Sequence, residues 1–337
     1  MSDGGEGAGA LLAEATGGYP QPERACDPLG REIETAWWLA GDVAIVEMAA
    51  IAGIALLAPE ERRAVSTSSF GVGQLLRAAD RRRVRKCQLC VGGSANVDGG
   101  AGCLLALGYD LLDEHGARLR VANGGALLRI ASIVPPAARP AFELTVLCDV
   151  RNPLLGPDGA APTYAPQKGA TAQEVALLDA GLEHWAALLR QTFGVDVSTM
   201  PGCGAAGGLP AAMVAAVGAR LLPGAVVFAK AWRLEEKAAA ADWIFTGEGQ
   251  LDAQTLQGKV VSEIARIGQA AGRPVVAFVG SAPPARERDE LARRLGLAQV
   301  VTISDPQQDL AASIAATRQN LTKAVARFAA RRLAGGV

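Results

Sequence analysis

Histidine and aromatic residues are scarce in this chain, and neither acids nor bases dominate it. The 337 residues include two histidines, and Phe, Trp and Tyr together make up 4%. His115 and His184 each stand alone on polar segments, which argues against a Ser-His-Asp hydrolase and against a histidine-rich metal site. Lys and Arg number 33 against 34 Asp and Glu, so the sequence lacks the positive excess of a dedicated nucleic-acid binder.

Long apolar runs and a leader pattern are also missing from the sequence. No stretch approaches the roughly eighteen uninterrupted apolar residues of a membrane span. The first residues carry two acids and no basic region, which does not fit a signal peptide. Cys87 and Cys90 form C-x-x-C, but no second pair or nearby histidine completes a zinc site. We therefore expect buried, reduced thiols in a cytoplasmic protein.

Strand-like apolar runs and helical spacing alternate along much of the chain. The predicted strands are residues 43–47, 85–91, 142–148, 225–228, 241–246, 274–280 and 299–303. The predicted helices are residues 71–80, 100–107, 171–192, 210–221, 258–272, 285–295 and 310–333. Because several strands are nearly continuous in apolar residues, the pattern predicts an α/β fold with a parallel sheet covered by helices on both faces.

Glycines cluster where predicted strands lead into helices, each time beside an Asp, Glu or Lys. The clusters are residues 3–7, 92–102, 167–169, 202–208 and 246–252. Glycine tolerates positive φ and lets backbone N–H groups converge on an anion. Several such loops at the strand ends of an open α/β sheet indicate a cleft that binds phosphate. Carboxylates in these loops can hold Mg²⁺ and accept a proton from an attacking hydroxyl.

The two common nucleotide-binding motifs do not account for these loops. G-x-x-x-x-G-K-[ST] is absent, since Lys259 is followed by Val260, and this excludes a P-loop kinase. Residues 202–207 match G-x-G-x-x-G, yet no acid ends the next predicted strand, 225–228, where a dinucleotide site requires one. A nicotinamide-dependent oxidoreductase therefore remains an alternative that rests on residues 202–207 alone.

Taken in order, the loops resemble the bacterial glycerate kinase family of the first type. The matching segments are residues 3–7, 92–100, 148–154, 166–170, 204–208, 246–255 and 258–259. They span essentially the whole chain, and such an ordered set is far more specific than any one loop. The resemblance implies a kinase that uses ATP and Mg²⁺ to phosphorylate a hydroxyl of D-glycerate, its small-molecule partner.

The same resemblance implies a fold of two α/β domains. One is a Rossmann-like or flavodoxin-like parallel sheet that is split in sequence, and the other is a mixed α/β domain inserted into it. The expected boundaries are 1–20 for the first part of the split domain, 21–215 for the insertion and 216–337 for the second part. The family opens with a further strand and a Pro-Asp-Ser-Phe-Lys-Gly-Ser loop. Nothing in residues 1–337 matches these, so we expect the chain to lack a first strand and helix.

Three positions depart from the family pattern. Val97 replaces an amide residue, Tyr164 and Ala165 stand where Phe-Gly is usual, and Gln250 replaces an arginine. The aspartates of the motifs and Lys168 are retained. We therefore expect the same class of reaction.

The resemblance and the chemistry of the carboxylates assign Asp98 and Asp252 to catalysis. Asp98 is predicted to orient or deprotonate the glycerate hydroxyl, with capping of the following helix as the alternative. Asp252 and Glu248 are predicted to hold Mg²⁺, with turn formation as the alternative. The residues predicted to bind substrate or phosphate are Asp3, Gly92, Gly93, Ser94, Asn152, Lys168, Gly204, Gly207, Glu248 and Lys259. A catalytically inactive relic is a further alternative, because of the missing first strand.

Overall fold

A computed structural model describes residues 4–252, 255–256, 260–305 and 309–334 of the protein. The chain divides into two compact units, residues 1–228 and 229–337. The boundary expected from the motifs, between 215 and 216, falls earlier than this one. The grouping of residues 1–20 with 216–337 in one domain stays a prediction. In this structure, helix α1 (Ala8–Thr16) packs against strands β2 (Glu32–Ala40) and β3 (Val43–Glu47) of the first unit.

The first unit alternates strands and helices. Its other strands are β1 (Tyr19–Cys26), β4 (Lys86–Cys90), β5 (Asp110–Leu112), β6 (Ser132–Val134), β7 (Glu143–Leu147) and β8 (Arg220–Leu222). Its helices after α1 are α2 (Ala49–Ala52), α3 (Phe70–Arg81), α4 (Ala101–Ala106), α5 (Ala160–Tyr164), α6 (Ala172–Phe193), α7 (Leu209–Ala212) and α8 (Gly224–Ala231), the last of which runs past residue 228. Single turns of 3₁₀ helix lie at Pro166–Lys168 and Ala205–Gly208, and a π-helical turn lies at Met213–Val217.

Six strands of the first unit form one sheet in the order β1-β2-β3-β4-β7-β8. Strands β3, β4, β7 and β8 are parallel, whereas β1 and β2 add an antiparallel hairpin at one edge. Glu47, Cys90 and Leu147 are successive register partners, so β3, β4 and β7 all end at the same edge of the sheet. The loops that follow these strands therefore meet there.

The sequence of outer strand β1 protects its free edge from pairing with a further strand. Pro20 and Pro22 lie two residues apart, so they occupy the same side of the strand. Proline has no N–H, and strand prolines are found at sheet edges for this reason. The hairpin was not predicted from the sequence, because two prolines and several charges mask the strand pattern.

Most predicted elements of the first unit are confirmed, and two are wrong. Residues 225–228 belong to helix α8 rather than to a strand, since a short apolar run does not distinguish the two and Pro223 favours a helix start. The predicted helix at 210–221 ends early, and its last residues form strand β8. Helix α6 begins as expected, with Thr171 and Glu174 forming a capping box.

The second unit contains a parallel sheet in the order β11-β10-β9. The strands are β9 (Ile244–Gln250), β10 (Val275–Ser281) and β11 (Gln299–Thr302). The helices are α9 (Leu234–Ala239), α10 (Val260–Ala270), α11 (Ala285–Leu295), α12 (Leu310–Ala315) and α13 (Thr317–Ala334). The long helix expected at 310–333 is interrupted at Ala316. Over the described residues, no helix has the length and apolar character that crossing a membrane requires.

Glu47 fixes helix α1 to the end of strand β3. It is 4% exposed, and its two carboxylate oxygens accept hydrogen bonds from the backbone N–H groups of Gly7 and Gly9, both at 2.8 Å. The negative charge also lies at the helix N-terminus, where it is favourable.

We predict that Glu47→Ala lowers the free energy of unfolding by about 1–3 kcal/mol, because it leaves the buried N–H of Gly9 without its acceptor. Chemical denaturation with an unchanged m-value would measure this loss. Glu32→Ala is the control, since its ion pair with Arg24 is exposed and should be worth less than about 1 kcal/mol. Equal effects of the two substitutions would contradict the anchoring role.

Candidate active site

A cleft of about 380 Å³ lies in the first unit, where β4 and β7 end. Its wall is made by the loops that follow the two strands and by the turn after helix α5. The lining residues are Gly5, Ile54, Val91, Gly92, Gly93, Ser94, Leu147, Cys148, Asp149, Val150, Tyr164, Gln167, Lys168, Ala205 and Ala206. The carboxyl edge of a parallel sheet is where α/β proteins bind ligands, so this cleft is the first candidate for the active site.

The predicted glycines pack backbone against backbone around the cleft. A Cβ on Gly207 would lie 2.1 Å from the Asn96 carbonyl oxygen, and one on Gly204 would lie 2.0 Å from that of Pro153. A Cβ on Gly92 would lie 2.5 Å from the Cα of Gly5. Gly204 and Gly207 therefore let the loops of the site approach one another, whereas Gly92 and Gly93 line the cleft itself.

Lys168 is the buried cation of this cleft. It is 3% exposed, and its Nζ donates to the Ser94 Oγ at 2.7 Å and to the Asn96 carbonyl oxygen at 2.8 Å. Burial lowers the pKa of Lys168 to about 7, against an attraction from Asp98 that raises it. An ammonium has three hydrogens, so these two contacts among the described residues leave one for a ligand.

Asp98 is completely buried and is not among the described residues that line the cleft. Its carboxylate accepts hydrogen bonds from Ser69, Asn96, Gly100 and Gly102. The bonds from Gly100 and Gly102 cap helix α4, which was the alternative role for this residue. Burial raises the pKa of Asp98 above its usual value, although these donors act to lower it. Direct action on the substrate stays a prediction, and these contacts do not support it.

Asn152 holds the loop after β7 rather than facing the cleft. Its amide donates to the Asp158 carbonyl oxygen at 2.8 Å and accepts from the Tyr164 hydroxyl at 2.7 Å. Tyr164, one of the departures from the family pattern, thus fixes the orientation of Asn152. Asp149 lies earlier in the same loop, two residues after the end of β7. Its carboxylate belongs to a residue that lines the cleft. Its Oδ1 accepts from the backbone N–H of Ala225 in helix α8 at 3.4 Å.

Glu248 and Asp252 belong to the second unit. Glu248 lies in β9, and its Oε1 accepts from the Thr255 hydroxyl at 2.7 Å, while that same hydroxyl accepts from the Asp252 N–H at 3.2 Å. A second cleft, of about 990 Å³, includes the ends of β9, β10 and β11. Its polar part is formed by Glu248, Gly249, Gln250, Gly280, Ser281 and Asp305. Asp3 and Lys259 lie outside the described residues.

The donor chemistry of the second cleft fits Mg²⁺. The described residues contain no group of three His, Cys, Asp or Glu side chains that could hold a metal by themselves. Mg²⁺ does not need such a group, because it is usually held by one or two carboxylates together with phosphate oxygens and water. Glu248 and Asp305 line this cleft, and Asp252 follows β9 close in sequence to Glu248 but outside the cleft lining.

Three contributors to these sites were not identified from the sequence. Glu47 ends an apolar strand as its only acid, which is the one signal it gives. Ser69 precedes helix α3 in a run of hydroxyl residues, a common helix start, and nothing in that pattern connects it to Asp98. Asp149 directly follows the predicted strand 142–148, a position that favours a binding role, but the sequence does not indicate that its carboxylate reaches the cleft. Only the fold brings these residues to the same sheet edge.

Comparison with known proteins identifies what this chain is similar to. A family model described as "Glycerate kinase family" matches residues 1–333. A glycerate kinase of Halalkalibacterium halodurans is 40% identical over 286 residues, which are 83% of this chain and 75% of that protein. A glycerate 2-kinase of Escherichia coli is 36% identical over the same shares. A crystal structure named for a glycerate kinase 2 of Salmonella typhimurium LT2 matches with a TM-score of 0.78 at 34% identity, covering 98% of this chain and 88% of that one. The resemblance and the α/β fold inferred from the sequence are confirmed.

We predict that Gly207→Ala destabilises the protein far more than Gly194→Ala. Both glycines have positive φ, +66° and +74°, so both substitutions cost about 1–2 kcal/mol of backbone strain. A Cβ at Gly194 meets nothing within 4 Å, whereas at Gly207 it meets the backbone of Asn96 and Val97. Overlap with backbone adds at least about 1–3 kcal/mol. Equal unfolding free energies for the two variants, measured by denaturant titration, would show that the loops can separate without cost.

Proposed function

The chain belongs to the glycerate kinase family, and we propose that it transfers the γ-phosphoryl group of ATP to a hydroxyl of D-glycerate with the help of Mg²⁺. The observation that carries this proposal is the buried Lys168 in the cleft at the ends of β4 and β7. Glycerate is a small anion, and a single buried cation beside polar donors suits its carboxylate.

Lys168 and Ser94 together offer two hydrogen-bond donors to such an anion. The Ser94 hydroxyl accepts from Lys168, so its own hydrogen points to a different acceptor. Ser94 is 8% exposed and lines the cleft, as Lys168 does. Charge-assisted hydrogen bonds are the strong ones, particularly where water is excluded. We infer that this pair binds the glycerate carboxylate.

Asp149 is the carboxylate that we assign to the attacking hydroxyl. A kinase needs a group that orients the acceptor hydroxyl and takes its proton, and a carboxylate is a common choice. Among the described residues that line the first cleft, Asp149 is the acid. Asp98, the residue first predicted for this task, would have to give up five hydrogen bonds to reach a substrate.

The second cleft is proposed to take the phosphates of the nucleotide. Glu248 in this cleft and Asp252, which shares the Thr255 hydroxyl with it, would hold Mg²⁺, and the ion would supply positive charge to neutralise the phosphate oxygens. Gly249 and Gly280 at the strand ends let the backbone approach those oxygens. Glycines at the carboxyl edge of a parallel sheet serve this purpose in many α/β proteins.

The other functional readings have less support. In the dinucleotide alternative, Gly207 would face a pyrophosphate, but its close approach to Asn96 already explains why it is glycine. The inactive-relic alternative predicts no ADP release under any condition. Within the described part of the chain, the buried Cys87, Cys90 and Cys103 form no disulfide, which suits the cytoplasmic location that we propose.

We predict that the protein releases ADP only when ATP, Mg²⁺ and D-glycerate are all present. A coupled assay of ADP release would measure this dependence. Lactate is the control acid, because it has the carboxylate of glycerate but a single hydroxyl. ADP release that does not depend on glycerate, but increases with another hydroxy acid or a sugar, would contradict the assignment of D-glycerate as the substrate.

The same assay tests the metal site. Asp252→Asn should raise the Mg²⁺ concentration for half-maximal rate by about tenfold or more, as loss of a metal ligand does, with an unchanged melting temperature. Asp242→Asn, an exposed substitution shortly before β9, is its control. Identical Mg²⁺ dependence in the two variants would remove Asp252 from the metal site.

We predict that Lys168→Met weakens glycerate binding by about ten- to a hundredfold, the loss of one charge-assisted hydrogen bond. Because Lys168 has a pKa of about 7 and the anion requires its charged form, wild-type affinity should fall as pH rises above 7, by up to about tenfold per unit. Calorimetry from pH 6 to 9 would show this slope in the wild type and in the exposed control Lys86→Met, and a flat profile in Lys168→Met. A wild-type affinity that does not change with pH would contradict the role of the Lys168 charge in binding glycerate.

A further inference from the structure

The hydrogen bonds that Asp98 accepts favour its ionised form. Its Oδ1 accepts from the Asn96 amide at 2.6 Å and the Gly100 N–H at 3.1 Å. Its Oδ2 accepts from the Ser69 N–H and hydroxyl, both at 2.7 Å, and from the Gly102 N–H at 3.3 Å. The Asn96 amide and three backbone N–H groups donate to these oxygens, as they would to a carboxylate. These hydrogen bonds favour the carboxylate form of Asp98, against burial, which raises its pKa.

Ser69 donates to Asp98 with both its backbone N–H and its hydroxyl. The Ser69 hydroxyl accepts from the Cys103 N–H at 3.0 Å, in the first turn of α4. Its own hydrogen is donated to the Asp98 Oδ2 at 2.7 Å. Ser69 thus acts as a donor in this position and holds the carboxylate between the starts of α3 and α4.

Asn96 connects this anion to the cation of the cleft. Its side-chain amide donates to Asp98, and its backbone oxygen accepts from the Lys168 ammonium at 2.8 Å. Asp98 is 0% and Lys168 is 3% exposed, so little water screens one from the other. A buried ammonium without a nearby negative charge would lose its proton at neutral pH.

The other titratable groups around Lys168 do not replace Asp98. Burial raises the pKa of the Cys148 thiol to about 11 and that of the Tyr164 hydroxyl to about 12, so both are neutral at pH 7. Arg62 meets Gly169 with its backbone, and among the described residues the one charge that shifts the pKa of Lys168 is that of Asp98. Asp149 lines the same cleft and is the acid against which the role of Asp98 must be tested.

We propose that Asp98 is a positioning residue, a fixed internal counter-charge that sustains the ionised form of Lys168, with Ser69 and Asn96 holding it in place. Its importance for catalysis rests on the proposed role of Lys168 in binding glycerate. Asp98 acts on the reaction through Lys168 and does not touch the substrate.

The test is an NMR titration of the Lys168 side chain in ¹³C,¹⁵N-lysine-labelled protein without ligand, with the signal assigned by its loss in Lys168→Met. Asp98→Asn should lower the pKa of Lys168 by one unit or more, a tenfold change in its protonation equilibrium. Ser69→Ala breaks the same network but keeps the charge, so it should shift this pKa by less than half a unit. An unchanged pKa in Asp98→Asn, an equal shift in Ser69→Ala, or a larger shift in Asp149→Asn would overturn the proposal.

A reciprocal experiment does not require Asp98→Asn to fold. If the two charges stabilise each other, Lys168→Met should raise the pKa of Asp98, because the coupling between two protonation sites is reciprocal. The carboxyl carbon of Asp98 should report a carboxylate at pH 7 in the wild type and a higher pKa in Lys168→Met. A protonated Asp98 at pH 7 in the wild type, or the same pKa of Asp98 in the wild type and in Lys168→Met, would overturn the proposal.

Neither titration contains glycerate. Failure of glycerate to bind would contradict the proposed function and leave the coupling of Asp98 and Lys168 standing, whereas the NMR results alone decide the coupling.

Discussion

The buried carboxylate of Asp98 is the interaction on which the first unit's cleft depends. It joins the start of helix α3, through Ser69, to the start of helix α4, through Gly100 and Gly102, and to the loop after β4, through Asn96. A buried charge is tolerated only when donors replace the lost water, and five hydrogen bonds do so here. Lys168 binds to the backbone of that same loop, so its position follows from the position of Asp98.

The glycine motifs serve packing as much as binding. Gly204 and Gly207 belong to a motif that reads as a phosphate loop, yet both are required because another backbone passes within van der Waals distance. Close approach of two loops brings Asn96, Lys168 and Ala206 together around one cleft. The recognition of an anion then depends on side chains, Lys168 and Ser94, rather than on glycine N–H groups alone.

The sequence predicted well those features that a local pattern encodes. Strands β3, β4 and β7 are short apolar runs, and the loops after them carry Ser94 and Asp149 to one edge. The hairpin of β1 and β2 was not predicted, because Pro20 and Pro22 obscure a strand that is stable only as an edge. The burial of Asp98 was equally inaccessible: its partner Ser69 is 29 residues away, and a motif does not reveal whether its carboxylate faces solvent.

A lysine with a pKa of about 7 has a physical advantage over an arginine in this position. An arginine would carry its charge permanently and would need lasting compensation inside the protein. Lys168 can lose its proton when no anion is present, which avoids a full buried charge, and can regain it when a carboxylate enters. Anion binding then includes the uptake of a proton by Lys168. The free energy of this protonation depends on how strongly the surroundings already favour the ammonium. Asp98 sets that free energy from inside the fold, without occupying any of the space that the substrate needs.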